Sequence, residues 1–342
     1  MKKVKLTVTA AAAVLIGGML AAPASADPAP QTKDYVGVGS DTTQIALNAI
    51  ADGYADPDFG FFITGYNAGA SARVASFDAT NPLTGGKGAT EFIQPRVGVN
   101  KIVRPDGSGA GKVLLYGASN NSAISFARSS SALNANEVAG SLVAYPFAVD
   151  EVAAAVAPGS SYAPAGLTPQ QLVGIYEGTI TNWSQVGGAN VAIVPLLPQS
   201  GSGTRTFFLD QLALAKGSAV NVSSSVISDD IQEHDPSVFV GRNGAVVPFS
   251  VGRADLAPGS VKLANVGAGA FDAKRGVYNV VRGSQANQAW ATSLFGSNGY
   301  LCSSAAKDAI AAGGLTQLAS PGTGECGVPY TTTAGVTNFA TS

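Results

Sequence analysis

Short apolar segments alternate with amphipathic segments along most of the chain. The apolar run at 35–38, for example, is followed by a helical pattern over 43–50. Alternation of this kind predicts α/β layers, in which helices cover a sheet. Further strands are predicted at 61–64, 123–127, 142–147, 191–197, 245–249 and 276–281. Further helices are predicted at 169–176 and 204–214.

The segment 77–121 departs from this alternation. It is rich in glycine, and the run Pro105-Asp106-Gly107-Ser108 lies between two alternating stretches at 96–99 and 112–116. Proline, aspartate and glycine in this order are typical of a tight turn between two strands. The pattern therefore predicts an inserted β-hairpin.

The first 26 residues have the pattern of an export signal. Three lysines at positions 2, 3 and 5 precede an apolar run from 6 to 20, which ends in Ala24-Ser25-Ala26. The apolar run is shorter than a membrane-spanning helix, and cleavage after Ala26 leaves 316 of the 342 residues. No cysteine near this junction could carry a lipid anchor. We therefore expect a secreted, extracytoplasmic protein.

Composition narrows the class of partner. Charged residues make up 12% of the chain and glycine contributes 42 residues, which favours a compact, loop-rich globule over a disordered chain. Without the three lysines of the leader, 17 basic residues remain against 22 acidic ones, a net charge near −5. A nucleic-acid partner is not expected at this charge. No segment after the leader is apolar for long enough to cross a membrane.

The two cysteines, Cys302 and Cys326, both lie in the exported part of the chain. We expect them to form a disulfide, and two buried free thiols are the alternative. Pairing would leave His234 as the one remaining nitrogen or sulfur ligand for a zinc site, which would then need carboxylates for the rest. Neither a metal nor another cofactor is expected.

Three segments share one design: an apolar run, then a turn of glycine, serine and threonine, then a helix with a small polar first turn. They are Gly37–Thr43, Asn67–Ser71 and Ser200–Arg205. The first amides of a helix lack internal partners and lie at the positive end of the helix dipole, while nearby hydroxyls add donors. Serine and threonine are also ordinary helix caps, so each segment alone is weak evidence. Together they predict a pocket for a small oxyanion.

The third of these segments resembles a known family. The run Gln199-Ser200-Gly201-Ser202-Gly203-Thr204 follows an apolar strand and opens a helix, and an Ile175-Tyr176-Glu177-Gly178-Thr179-Ile180-Thr181-Asn182-Trp183 run lies just upstream. Both motifs, in this order and spacing, are similar to those of the phosphate-binding proteins of ABC importers. The similarity is weaker at 37–43, 69–71, 125–130 and 244–253.

The resemblance implies a two-lobed periplasmic binding protein of type II, with a hinge of two crossover strands. Lobe one is expected to comprise residues 27–143 and 256–342, with the insertion at about 77–121, and lobe two residues 144–255. The lobes would close around phosphate or a related small oxyanion, and the amides and hydroxyls of both lobes would hold it. A monomer that delivers its ligand to an ABC permease is the expected arrangement.

The ligand contacts that the resemblance implies fall on seven serine, threonine and glycine positions and one acidic one: Ser40, Asp41, Thr42, Ser71, Ser130, Ser202, Gly203 and Thr204. Two family residues are missing, because Ser130 stands where the family has an acidic residue and Pro198 aligns near the family's arginine. We hypothesise that Asp41 supplies the carboxylate, and that Arg128 and Arg205 supply the guanidinium groups. A carboxylate in the pocket would accept a proton from phosphate and repel sulfate. The alternative is that Asp41 only caps its helix.

Two other functions stay open. A secreted hydrolase could use a loop serine, Ser202 or Ser130, with His234 as its base, since any Ser-His-Asp catalysis here would have to use that histidine. We expect instead that 229–235 is a solvated acidic loop near the cleft rim, with His234 paired to a carboxylate. A two-lobed adhesion or signalling protein that has lost its ligand site is the second alternative. No catalytic residue is assigned.

Overall fold

The fold is described from a computed structural model that covers residues 27–56, 60–228 and 231–342. The predicted export signal lies outside the described residues. No helix in the covered part of the chain combines the length and the apolar character that crossing a membrane requires.

Most strands of the protein are short, and two are long. The strands are β1 (Tyr35–Gly39), β2 (Gly53–Ala55), β3 (Phe62–Thr64), β4 (Val74–Ser76), β5 (Phe92–Ile93), β6 (Ile102–Val103), β7 (Phe126–Ser129), β8 (Leu142–Val156), β9 (Val194–Pro195), β10 (Ala245–Ser250), β11 (Lys262–Leu263), β12 (Asp272–Arg282) and β13 (Thr316–Gln317). The length of β8 and β12 allows both to extend through the two halves of the molecule.

The α-helices are also short, except for one that begins directly after the third predicted anion-binding segment. The helices are α1 (Gln44–Asp52), α2 (Ser108–Lys112), α3 (Ala135–Ala139), α4 (Pro169–Tyr176), α5 (Gly203–Lys216), α6 (Val251–Asp255), α7 (Gly283–Ala286), α8 (Ala289–Phe295) and α9 (Ser304–Ala311). Helix α4 carries the signals its sequence predicts, since Thr168 and Gln171 form a capping box and Pro169 occupies the first turn.

One mixed sheet runs through the molecule in the order β4-β1-β7-β12-β8-β10-β9. Strands β4, β1 and β7 are parallel to one another, and so are β10 and β9. The long strands β8 and β12 pair antiparallel over most of their length and join these two parallel groups. They run through both halves, as the two expected crossover strands do. The segment 244–253, where the resemblance places the later crossover, instead forms β10 and pairs with β9 in one half.

The apolar core is divided at these crossover strands. One cluster draws on residues 36–149 and 277–336, while two others draw on residues 152–271 and lie on the opposite side of the division. Each half therefore has its own core, and the division falls between Val149 and Val152 on β8 and between Phe271 and Val277, at the start of β12. The lobe boundary predicted at 143/144 lies shortly before this division, whereas the one at 255/256 lies well before it, ahead of both β11 and β12. Both boundaries stay predictions.

The predicted hairpin within 77–121 is wrong in its pairing. The hairpin of this segment joins β5 to β6, and residues 112–116 are helical or irregular instead of a strand. Gly107 has φ of 96° and leads directly into α2, so the Pro-Asp-Gly-Ser run begins a helix. The physical reason is that small residues with a positive φ serve a helix start as well as they serve a β-turn.

The expected disulfide is present: Cys302 and Cys326 are bonded, and they are separated by 24 positions. Closing a loop of this length stabilises the fold by about 3 kcal/mol on the chain-entropy model. The bond ties the segment before α9 to the carboxy-terminal tail, and Tyr330 in that tail pairs with Ala144 on β8.

Candidate anion-binding cleft

The candidate site lies where the carboxyl ends of β1 and β7 face the amino terminus of α5. Ser40 and Thr42 follow β1, Ser130 follows β7, and Ser202 and Thr204 begin α5; each of these five residues is at most 1% exposed. Parallel strands place their carboxyl ends at the same edge of a sheet, which is where α/β proteins bind ligands. The structure therefore brings together two of the three predicted segments.

The start of α5 is organised by Ser202 and Gly203. The Ser202 hydroxyl caps the helix and accepts from the amides of Thr204 and Arg205, at 3.1 and 3.2 Å. A Cβ atom on Gly203 would lie 2.3 Å from the Ser130 hydroxyl and 2.6 Å from the Ser108 hydroxyl. Only glycine lets this turn approach the other half of the molecule so closely.

An arginine reaches this helix start from β12. The Arg275 guanidinium donates to the Thr204 hydroxyl at 2.6 Å and to the Thr42 hydroxyl at 3.4 Å, so it touches both halves of the site. It also donates to one oxygen of Asp150 on β8, through Nε at 2.8 Å and Nη2 at 2.6 Å. Its side chain is almost fully buried, and its Nη1 has no hydrogen-bond partner among the described residues.

Three consecutive residues from the segment before β10 complete the contact between the halves. The Gln232 amide donates to Asp106 at 3.1 Å, and Glu233 accepts from the Thr42 hydroxyl at 3.3 Å. Nδ1 of His234 lies 3.3 Å from Oδ2 of Asp41. The predicted solvated loop is therefore wrong at these positions, because Glu233 is fully buried and the His234 side chain is 10% exposed.

Burial and neighbouring charges set unusual protonation equilibria in the cleft. Burial, aided by the charge of Asp41, raises the pKa of Glu233 to about 7, and the same two causes raise the pKa of Asp106 to about 6. For Asp41, burial acts to raise the pKa but the His234 charge outweighs it, so the pKa is lowered. For His234, burial acts to lower the pKa but Asp41 outweighs it, so the pKa is raised. Each member of the Asp41–His234 pair therefore favours the charged form of the other.

Several buried polar atoms of the cleft residues lack a partner within the described part of the chain. They include the possible donors Ser40 Oγ, Thr43 Oγ1, Arg128 Nη2, Arg253 Nε and Arg275 Nη1, and the acceptors Asp106 Oδ1, Gln232 Oε1 and Glu233 Oε2. Buried polar groups are almost always hydrogen-bonded, so a set of them around one cleft indicates room for a polar ligand or water. Most of these atoms can donate, as binding an anion requires.

Three of the predicted site residues contribute differently from what the sequence indicates. Both oxygens of Asp41 have protein partners, because Oδ1 accepts from the Thr42 amide at 2.9 Å and Oδ2 faces His234. Arg128 is fully buried behind the first loop and donates to the Ser40 carbonyl at 3.1 Å. Burial lowers its pKa to about 10. Arg205 turns back and donates to the Pro198 carbonyl at 2.9 Å, away from the cleft.

Ser71 does not lie in the cleft. It is exposed and precedes β4, where Val74 pairs with Tyr35 at the amino end of β1, whereas Ser40 follows the carboxyl end of β1. In parallel strands these are opposite edges of the sheet, so the second predicted segment points away from the other two. The corresponding residue at the correct edge is Ser76, whose hydroxyl accepts from Arg128 at 2.9 Å.

Sequence reasoning missed the long-range members of the cleft. Arg275 lies 71 positions after Thr204, and Glu233 lies 191 positions after Thr42, so no local motif joins them. Ser108 falls in the predicted hairpin turn, but in the structure its hydroxyl lies 3.2 Å from that of Ser130. An acidic run around the single histidine was the one available signal for Glu233.

One group of cleft residues has the composition of a cation site. Potential ligand atoms of Asp41, Glu233 and His234 lie within 4.8 Å of one another. Two carboxylates and an imidazole are suitable ligands for zinc or manganese. In this structure, however, Asp41 and His234 already balance each other's charge.

Comparisons with known proteins agree with this architecture. A family model described as a PBP superfamily domain matches residues 25–262. An ABC-type phosphate transport receptor from Vibrio cholerae is 20% identical with a TM-score of 0.53, and the match covers 82% of this chain and 98% of that one. A candidate phosphate ABC transporter substrate-binding protein from Clostridium perfringens, solved with bound phosphate, is 18% identical with a TM-score of 0.56, over 83% and 99%.

At such identities the two structures establish the fold, which confirms the predicted two-lobed α/β class. Among curated proteins, none matches this chain. Because the family model spans well over half of the sequence, the chain belongs to the PBP superfamily.

Proposed function

We propose that this protein is an extracytoplasmic receptor that closes around phosphate or a similar small oxyanion without chemical change. The observation that carries the proposal is the meeting, in a buried cleft, of the first turn of α5, the loop after β1 and the Arg275 guanidinium. The helix start supplies dipole and amide donors, and the guanidinium supplies directed charge. Both similar structures are of proteins named for phosphate transport, and one contains phosphate.

The donor set favours a compact anion with several oxygens. The amide of Gly203 donates to no protein atom in the described ranges, and Nη1 of Arg275 is equally without a partner. Hydroxyls of Thr42, Ser202 and Thr204 surround the same point. A tetrahedral oxyanion offers acceptors in every direction, and therefore can use donors that arrive from both lobes at once.

Binding is proposed to couple to a hinge in the two crossover strands. One apolar cluster includes residues up to Val149 and from Val277 onward, and the other two lie between Val152 and Phe271. We therefore place the lobe boundaries between Val149 and Val152 and between Phe271 and Val277. Closure is then the approach of Asp41 to His234, of Thr42 to Glu233, and of Asp106 to Gln232. An oxyanion stabilises the closed form because only there do donors of both lobes reach it.

The wider setting follows from the same proposal. The export signal predicts release from the cytoplasm, and we propose that a monomer passes its ligand to an ABC permease. The geometry gives little support to the hydrolase alternative, because within the described ranges His234 bonds to no serine hydroxyl. A catalytic triad would also pair Nδ1 with a carboxylate such as Asp41, but its base must in addition reach Ser202 or Ser130 to activate it.

Calorimetric titration with phosphate, arsenate, sulfate and molybdate tests the proposal. We expect heat of binding from phosphate and arsenate, and a mass spectrum under non-denaturing conditions should reveal any anion retained on purification. Replacing Thr204 by Val should weaken phosphate binding by about tenfold, the value of one hydrogen bond to a charged group. Thr206→Val, at an exposed site on the same helix, is the matched control and should bind as the wild type does.

Absence of heat with all four anions would contradict the proposal and would favour a two-lobed protein that has lost its ligand. Turnover of a panel of ester substrates that disappears in His234→Ala would favour the hydrolase instead.

A further inference from the structure

The Glu233 carboxylate lies on the donors that an anion would use. One of its oxygens accepts from the Thr42 hydroxyl at 3.3 Å and from the Ser202 hydroxyl at 3.4 Å. These two hydroxyls come from different lobes, and Glu233 is fully buried between them.

The hydroxyl protons cannot serve two acceptors at once. A hydroxyl has one proton to donate. The Thr42 hydroxyl accepts from Arg275 and the Ser202 hydroxyl accepts from two helix amides, and both direct their protons at Glu233. While the carboxylate stays in this position, an external anion can reach few of the donors that would bind it.

Among the described residues, the Glu233 carboxylate accepts hydrogen bonds only from the hydroxyls of Thr42 and Ser202. Its second oxygen is buried and has no partner in the described residues. The backbone of Glu233 is fixed separately, because its carbonyl accepts from the Ser250 amide at 3.2 Å. The side chain could therefore turn away while the chain around it keeps its position.

We propose that the Glu233 carboxylate is an internal occupant of the anion site, and that an external oxyanion binds by displacing it. This inference rests on the proposed function, since it needs an oxyanion to bind in the cleft. The closed, ligand-free form is stabilised by the same hydroxyls that later hold the ligand. Glu233 thereby sets a threshold of affinity that weakly binding anions do not pass.

The test compares wild type with Glu233→Gln and Glu233→Ala by phosphate calorimetry at one fixed pH, so that the titration of phosphate is the same for every variant. We expect both variants to bind phosphate about tenfold more tightly than the wild type, because no carboxylate then competes for the hydroxyls of Thr42 and Ser202. Gln232→Ala, which alters the adjacent contact between the lobes, is the control and should not show this gain.

The outcomes separate the inference from the proposed function. If phosphate binds the wild type and both variants bind it equally or more weakly, Glu233 is not displaced by the anion and the inference is wrong while the function stands. If phosphate binds to neither the wild type nor the variants, the proposed function fails. Binding that appears only when Glu233 is replaced would support displacement most directly. The isosteric Gln variant guards against loss of folding in the Ala variant.

Discussion

Two serine-containing turns in this protein have nearly the same composition, but one lies in the cleft and the other lies outside it. Ser202 follows β9, caps a long helix and is buried between the lobes. Ser71 follows Gly69 and Ala70 in a similar turn, yet it precedes its strand and is exposed at the other edge of the sheet. Position relative to the carboxyl end of a strand, and not composition, decides which turn can bind a ligand.

The largest effect is expected from Arg275, compared with Arg205. Arg275→Ala leaves Asp150 buried without its partner, and should lower the free energy of unfolding by about 3 to 5 kcal/mol. Phosphate binding should also be lost. Arg205→Ala, which removes a single bond to the Pro198 carbonyl, should change stability by about 1 kcal/mol at most and leave binding intact. Denaturant unfolding and calorimetry check both variants, and equal losses would contradict the assignment of Arg275.

A second comparison is between Gly203 and Gly69. Gly203→Ala puts a methyl group against the Ser130 and Ser108 hydroxyls and holds the lobes apart, so phosphate affinity should fall about a hundredfold or more. A Cβ on Gly69 meets nothing within 4 Å, so Gly69→Ala should bind as the wild type does. Titration calorimetry measures both. An unaffected Gly203→Ala variant would show that the turn does not approach lobe one in solution.

Ser202 and Ser71 give the direct test of the opening comparison. Ser202→Ala removes a helix cap that accepts from two amides, which should cost about 1 kcal/mol of stability. Ser71→Ala should leave the midpoint of thermal unfolding unchanged, because its side chain is exposed. Thermal unfolding monitored by circular dichroism distinguishes the two. A loss at Ser71 equal to that at Ser202 would contradict the placement of the second turn.

The last comparison concerns the stability that the Asp41–His234 pair contributes between the lobes, which depends on pH. The pKa of His234 is raised in the folded protein, so its contribution to stability is complete below its ordinary pKa of 6.5 and is lost as pH rises through the folded value. Asp41 has a lowered pKa, so its contribution is present above its ordinary value and is lost as pH falls through the folded one. His234→Gln should therefore cost about 1 kcal/mol near pH 6 and less at alkaline pH.

Denaturant unfolding of His234→Gln and wild type across this range gives the difference directly. A penalty that grows toward alkaline pH would contradict the pairing of His234 with Asp41.

The sequence was sufficient for elements whose signals are local. Helix α4 carries its own cap and proline, so its predicted bounds of 169–176 match the structure. The predicted helices at 43–50 and 204–214 and the predicted strand at 245–249 overlap α1, α5 and β10 within a few residues. Apolar periodicity and capping depend on neighbours in the chain, and so they can be recognised in one sequence.

The site was predicted only as far as its backbone turns. Ser202, Gly203 and Thr204 form a contiguous motif, whereas Arg275 and Glu233 reach the cleft through the crossover strand and through lobe closure. The position of Ser71 outside the cleft could not be predicted, because a turn motif does not show which end of a strand it adjoins. Contacts of this kind are fixed by topology, which no short pattern contains.

The central claim is that donors of both lobes close over one oxyanion. An anomalous-scattering measurement on crystals grown with arsenate locates the bound anion without ambiguity. We predict one arsenic peak in the cleft, with the arsenate oxygens within hydrogen-bonding distance of Thr42, Gly203 and Arg275 and the Glu233 side chain turned away. Ordered crystals in which the same cleft shows no arsenic, or in which arsenic binds only on the surface, would contradict the account.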